Sequence, residues 1–264
     1  MADHTLFYSD NDSYFAMTHL REVAAEVVRK SSLIRRCEGG DRRAAEGLYQ
    51  GFWYFVSEFE KAIDARKMPR LPLYARFGVT KTRAKLVDTS RAIRGLREEE
   101  FSGVFANIAH AVREMQQEEA THARHWIKDA ENLGIGLIQM QSARVVAGVK
   151  NLVDRAYCED MSRFFSVLAA TEFIAEELAA RLAHARSFTS LFRRKRAIWM
   201  EVHTIPHDHG PSHLEIDMDL ARAYALEGSK PVQVESMVLD IIYLFGQAAD
   251  DVEKVYAAGL VAAE

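Results

Sequence analysis

Glu118-Glu119-Ala120-Thr121-His122-Ala123-Arg124-His125-Trp126 lies inside a long helical pattern, and the fold turns on how it is read. Glu119 and His122 are three residues apart, so on a helix they project from one face, one turn apart. A carboxylate and an imidazole at Glu-x-x-His spacing, pointing into a helical bundle, form half of a recurrent site for iron or manganese. Surface helices are also rich in Glu and His, so a bare match is more often a solvated face than a ligand pair. Glu118, His122 and His125, at i, i+4 and i+7, share a face too, which leaves the ligand register open.

Helical periodicity extends outward from this stretch in both directions. The helix carrying it runs from about residue 98 to 133 and is closed by Gly134 at C′. Before it, residues 1–12 read as a polar tail, and residues 13–36 and 42–65 read as two helices, the second with Asp41 as N-cap. Leu48, Tyr49, Phe52, Trp53, Phe55, Val56 and Phe59 make the second helix one buried on most sides rather than an aromatic binding face, and Glu58 is its odd residue. Met68-Pro69-Arg70-Leu71-Pro72 ends that helix, and a basic, irregular segment with one short helix follows to about residue 96. Further helices are expected over about 142–157, 160–186, 190–202, 212–226 and 232–258. No strand-type alternation occurs anywhere. The expectation is all-α: a single-domain bundle of seven to eight helices over residues 13–264.

Bulk properties exclude several function classes. The chain has 264 residues, 48% of them hydrophobic and 27% charged, with a net charge of -4. A nucleic-acid binder would show a basic balance, so no such partner is expected. Cys37 and Cys158 form no paired motif, which fits a reduced, cytoplasmic protein. Met1-Ala2-Asp3-His4 is not the opening of a signal peptide, and no apolar run reaches membrane-spanning length.

Two other places put polar groups where a core is expected. Glu172 and Glu176 are i, i+4 in an otherwise apolar helix. Two carboxylates on one face repel unless a cation or water lies between them. Ala169, Ala170 and Ala175 around them leave room for a cavity. The other place is the segment from His203 to Asp217, where His203, His207, His209 and His213 fall within eleven residues. Imidazole and carboxylate donors suit divalent first-row metals, and His213 and Asp217 share a helical face. Zinc fits less well, because no Cys accompanies the set.

These pieces resemble the haem-oxygenase-like diiron oxidases, relatives of the TenA-type thiamine-salvage proteins and of the pyrroloquinoline-quinone synthase fold. Within them the chain is most similar to the fatty-acid decarboxylases that make terminal alkenes. The matching stretches are Leu48-Tyr49-Gln50-Gly51-Phe52-Trp53 with Glu58-Phe59, Glu119 to Trp126, Ala169-Ala170-Thr171 with Glu176, and Trp199 to His203. The family holds iron with a Glu and a His on one helix, a Glu on a later helix, and a His-x-x-x-Asp-x-x-His run. The resemblance therefore implies Glu119, His122 and Glu176 as catalytic metal ligands, and it favours Glu176 where periodicity alone cannot separate it from Glu172. If His203 opens the last run, His207 stands where Asp is expected and Gly210 where the second His is expected. If His213 opens it, Asp217 fits and Leu220 replaces the second His. Either register is one ligand short unless a neighbouring His fills it.

The implied centre is one or two Fe(II) ions held by Glu119, His122 and Glu176 with members of His203, His207, His213 and Asp217, using O2 as co-substrate. The implied reaction is C–C cleavage, desaturation or N-oxygenation of a small carboxylate-bearing, aliphatic or amino-acid-derived substrate. An external electron donor and a homodimer are compatible with this reading. The alternative is a metal-free enzyme of the TenA or pyrroloquinoline-quinone synthase type, with Glu176 and the histidines as proton-transfer groups, or a helical metabolite-binding protein.

Overall fold

The computed structural model describes residues 10–65, 108–204 and 234–257, with 213, 214, 217, 218, 221, 222 and 225 between the last two; side chains are described over 17–63 and from 121 onward within these ranges. Among the described residues there are eleven α-helices, a closing π-helical turn at Glu253–Ala257, and no strand. In chain order the helices are α1 (Asp10–Lys30), α2 (Ser32–Glu38), α3 (Arg42–Gly51), α4 (Trp53–Ala65), α5 (Ile108–Leu133), α6 (Leu137–Gln141), α7 (Ala147–Ala156), α8 (Met161–Leu182), α9 (Arg186–Thr189), α10 (Ile198–Val202) and α11 (Val234–Val252). The all-α reading holds. The expected basic segment at 68–97 lies outside the described residues.

The helix count exceeds seven to eight because two long periodic runs are each broken once and because the short α6 and α9 were not expected. The first breaks at Ser31, whose hydroxyl accepts the Ile34 N–H and so caps α2. The second breaks at Phe52. There Gly51 lies against α11 so closely that a Cβ would stand 2.5 Å from a Val252 methyl. Two boundaries fall where the residue chemistry put them. Asp41 caps α3, accepting the Arg43 and Ala44 N–H groups at 2.9 and 3.2 Å. Gly134 closes α5 with φ +95°, and Ile135 N–H returns to the Ala130 carbonyl, the 6→1 bond of a Schellman cap.

α8 and α11 pack against each other at the centre, with α1 and α7 alongside. Phe164, Phe165, Phe173 and Leu182 of α8 are buried, each contributing about 1.5–3 kcal/mol by leaving water. α4 packs on α5 and α7, and α10 is held between α5 and α8. Glu58 is a partnered rim residue: its carboxylate accepts from Lys61 at 2.6 Å and from the Tyr157 hydroxyl at 2.9 Å. No described helix is long and apolar enough to cross a membrane.

Candidate functional site

α5, α8, α10 and the helical positions around 213–225 bring one carboxylate and three imidazoles together. His122 of α5 and His203 just past α10 have ring centroids 4.5 Å apart at 45°. The Nδ1 of His203 lies 2.7 Å from the carbonyl oxygen of Trp199. A carbonyl only accepts, so Nδ1 carries the proton and Nε2 presents its lone pair. The Trp199 ring lies 4.0 Å from that imidazole, and Trp126 meets Trp199 edge-on at 5.0 Å.

The carboxylate is Glu172. Its Oε1 lies 3.8 Å from Nδ1 of His213, and each side chain is only 13% exposed. At that separation the contact is electrostatic rather than a hydrogen bond. Burial pushes the Glu172 carboxyl up, but His213, and then the charges of His203 and His122, outweigh it and hold the group below the usual carboxylate range. His203 is lowered as well: burial, reinforced by His122, brings it to about 4. At neutral pH Glu172 is therefore anionic and His203 neutral.

Glu176 stands elsewhere. It is paired with Arg21 of α1 at the rim, and that guanidinium also lies over the Phe173 ring. Burial, with a smaller push from Glu172 and Glu177, raises the Glu176 carboxyl against the pull of Arg21. Of the two carboxylates on this face of α8, the structure thus brings Glu172, and not Glu176, to the histidines. Asp217 is buried one turn after His213. Glu119 belongs to α5, but its side chain lies outside the described residues, as do His207 and His209. Among the described residues, no three His, Cys, Asp or Glu side chains converge closely enough to hold a metal ion.

One polar residue of the site's support has no counterpart in the sequence reading. Asp129 of α5 is fully buried, and its carboxylate accepts the Ile198 and Trp199 N–H groups and the Tyr49 hydroxyl. Burial lifts Asp129 to about 6 against the pull of those donors. The available signal was a carboxylate at i+7 from His122 and i+3 from Trp126, on an apolar stripe of α5.

An apolar cavity adjoins the polar cluster. It holds about 70 Å³ and shares the Trp199 wall with His203. On α8 its wall is Thr171, Ile174, Ala175 and Leu178, a stripe that runs beside Glu172. Leu48, Phe52, Phe55 and Val56 close another side. The aromatic stretch read as plain core is buried, and one edge of it also faces this cavity.

By sequence, no family model and no curated protein matches the chain. By structure, it is similar to the crystal structure of a TenA homolog from Pseudomonas syringae pv. tomato, with a TM-score of 0.60 at 13% identity, over 93% of this chain and 96% of that one. At that identity the likeness speaks for the fold alone: this chain has a TenA-like helical fold.

Proposed function

We propose that this chain is an enzyme acting on a small molecule by acid–base chemistry. The substrate's apolar body fills the cavity beside Trp199, and its reacting polar group meets Glu172, His122, His203 and His213. One observation carries this reading: an anionic carboxylate and a neutral imidazole, both titrating below their ordinary values, stand behind the Trp199 and α8 walls of an apolar cavity. The roles follow from the same geometry. His213, whose Nδ1 is 3.8 Å from the Glu172 carboxylate, is assigned the proton-transfer role. His203, held far below neutrality, is a poor proton carrier at pH 7. Its fixed tautomer makes it an acceptor that orients the substrate through Nε2.

A second reading, an Fe(II)- and O2-dependent oxidase, is favoured by the same ionisation states, since deprotonated carboxylate and neutral imidazole are the forms that bind metal. Its candidate ligands, His122, His203, His213 and Glu172 with Glu119 as a further donor, do not stand close enough among the described side chains to hold iron, so this reading needs them to draw together before iron could supply O2 activation there. This chain's residues would orient the substrate and exclude water from the cavity side. An external electron donor belongs to this reading only.

Thermal-shift screening of small amphiphilic carboxylates and amines, with Ala175→Phe as control, tests the cavity. Stabilisation of the wild type that disappears in the variant is expected. Ligands that stabilise both proteins equally would remove the cavity from the site. Anaerobic Fe(II) calorimetry then separates the readings: stoichiometric binding lost in His203→Asn favours the oxidase, and turnover by chelator-treated protein favours acid–base chemistry.

A further inference from the structure

We propose that Asp129 is a positioning residue, which clamps the start of α10 from α5 and thereby aims the His203 imidazole. The proposal rests on the cluster described above being the functional site. α10 has only five residues, and its N-cap is Ala197, which has no side-chain acceptor. So short a helix does not hold itself by propensity; its direction is set by what it is tied to. Its first two N–H groups are taken instead by Asp129, Ile198 donating to Oδ1 and Trp199 to Oδ2, each at 2.8 Å. The acceptor comes from about 70 positions earlier in the chain.

The connection to His203 is two bonds long. Asp129 holds the N–H of Trp199, and the carbonyl of the same Trp199 accepts the Nδ1 proton of His203. Trp126, one turn before Asp129 on α5, packs edge-on against the Trp199 ring. Backbone and side chain of Trp199 are thus fixed from one face of α5. Tyr49 of α3 supports the clamp from behind: its hydroxyl donates to Oδ2 at 3.3 Å, and its carbonyl accepts the Trp126 indole N–H at 3.0 Å. Other charges near Asp129 are Glu201 and Arg196, which pair with each other at the surface. The carboxylate is spent on aiming α10, which is why a buried acid stands where the core needs none.

The test uses the full chain labelled with 15N-histidine, without substrate or metal, at pH 7.5. Long-range 1H–15N spectra show which ring nitrogen of His203 holds the proton. In wild type the Nδ1-protonated form should account for about nine-tenths or more of the neutral ring. In Asp129→Asn, which cannot accept from both N–H groups in the same way, it should fall below half, because a neutral imidazole with no carbonyl partner favours the proton on Nε2. The exposed His19 and His184 serve as unchanged references. A merely structural cap predicts a lower melting temperature with the His203 tautomer intact, and that result overturns the proposal. Ile198→Pro provides a second variant, since proline is accepted at the first helical position and removes the bond to Oδ1 while leaving the Trp199 bond to Oδ2. A shift in the same direction supports the proposal, and an unmoved His203 in this folded variant overturns it. Neither readout depends on substrate binding or turnover, so failure of the proposed function leaves this test standing.

Discussion

Replacing His203 with Asn should change how stability depends on pH. In the folded protein His203 titrates at about 4, against 6.5 for a free imidazole. Between those values the unfolded chain carries the proton and the folded one does not, so stability falls as pH falls. From pH 7 to pH 5 the loss through this one group is about 2 kcal/mol. Asp129 acts with the opposite sign. Its folded value of about 6 exceeds the 3.8 of a free carboxyl, so between them the folded state binds the extra proton. From pH 7 to pH 5 that adds about 1.4 kcal/mol. The Glu172 carboxyl is lowered from 4.5, so its contribution is lost below this window.

These two effects nearly cancel, leaving a net loss from this pair of groups below about 1 kcal/mol. Single substitutions separate them. Urea denaturation at pH 7 and pH 5, with chelator present, reads the difference in unfolding free energy between the two conditions. The pH-independent cost of each substitution drops out of that difference. His203→Asn should be about 2 kcal/mol better preserved at pH 5 than wild type, and Asp129→Asn about 1.4 kcal/mol worse. Should His203→Asn show the same pH difference as wild type, within about 0.5 kcal/mol, the burial of a neutral imidazole at this site would be refuted.

Three further outcomes are expected. Gly148→Ala should cost about 3 kcal/mol in urea denaturation, because its Cβ would stand 2.6 Å from the Ala248 Cα of α11 and backbone cannot step aside; a cost under about 1 kcal/mol would contradict that packing. Asp41→Ala should lower stability by about 1–2 kcal/mol, since it removes both the α3 cap and the partner of Arg36; no change in melting temperature would count against the cap. If the cluster binds metal, Glu172→Gln should weaken Co(II) binding, followed by visible absorption, about tenfold or more, while Glu176→Gln changes it little. The reverse result would return the ligand to the position implied by the family resemblance.

The part of this fold legible in the sequence was the part set by local chemistry. Asp41 and Gly134 mark helix ends because a side-chain acceptor and a left-handed turn act within a few residues. The breaks at Ser31 and Phe52 were not legible in the same way. Apolar spacing continues across both, and the Phe52 break depends on how closely Gly51 approaches Val252, some two hundred residues later. The helix at Leu137–Gln141 was missed too, being too short for a periodic pattern.

The candidate site divides along the same line. Glu-x-x-His spacing and histidine density led to His122, His203 and His213, which the fold brings to one place. Glu172 and Glu176 are one turn apart, so no count of residues along α8 could choose between them. Their partners separate them: Arg21, from α1, draws Glu176 to the rim, and His213, from beyond α10, faces Glu172. Asp129 was hidden for a related reason. A lone acid on an apolar stripe has meaning only once the uncapped start of α10 is brought against it. In this chain, caps and ligand spacings act over three or four residues and can be read directly. The ionisation of the site depends on which helices meet, and that is decided by packing across the whole bundle.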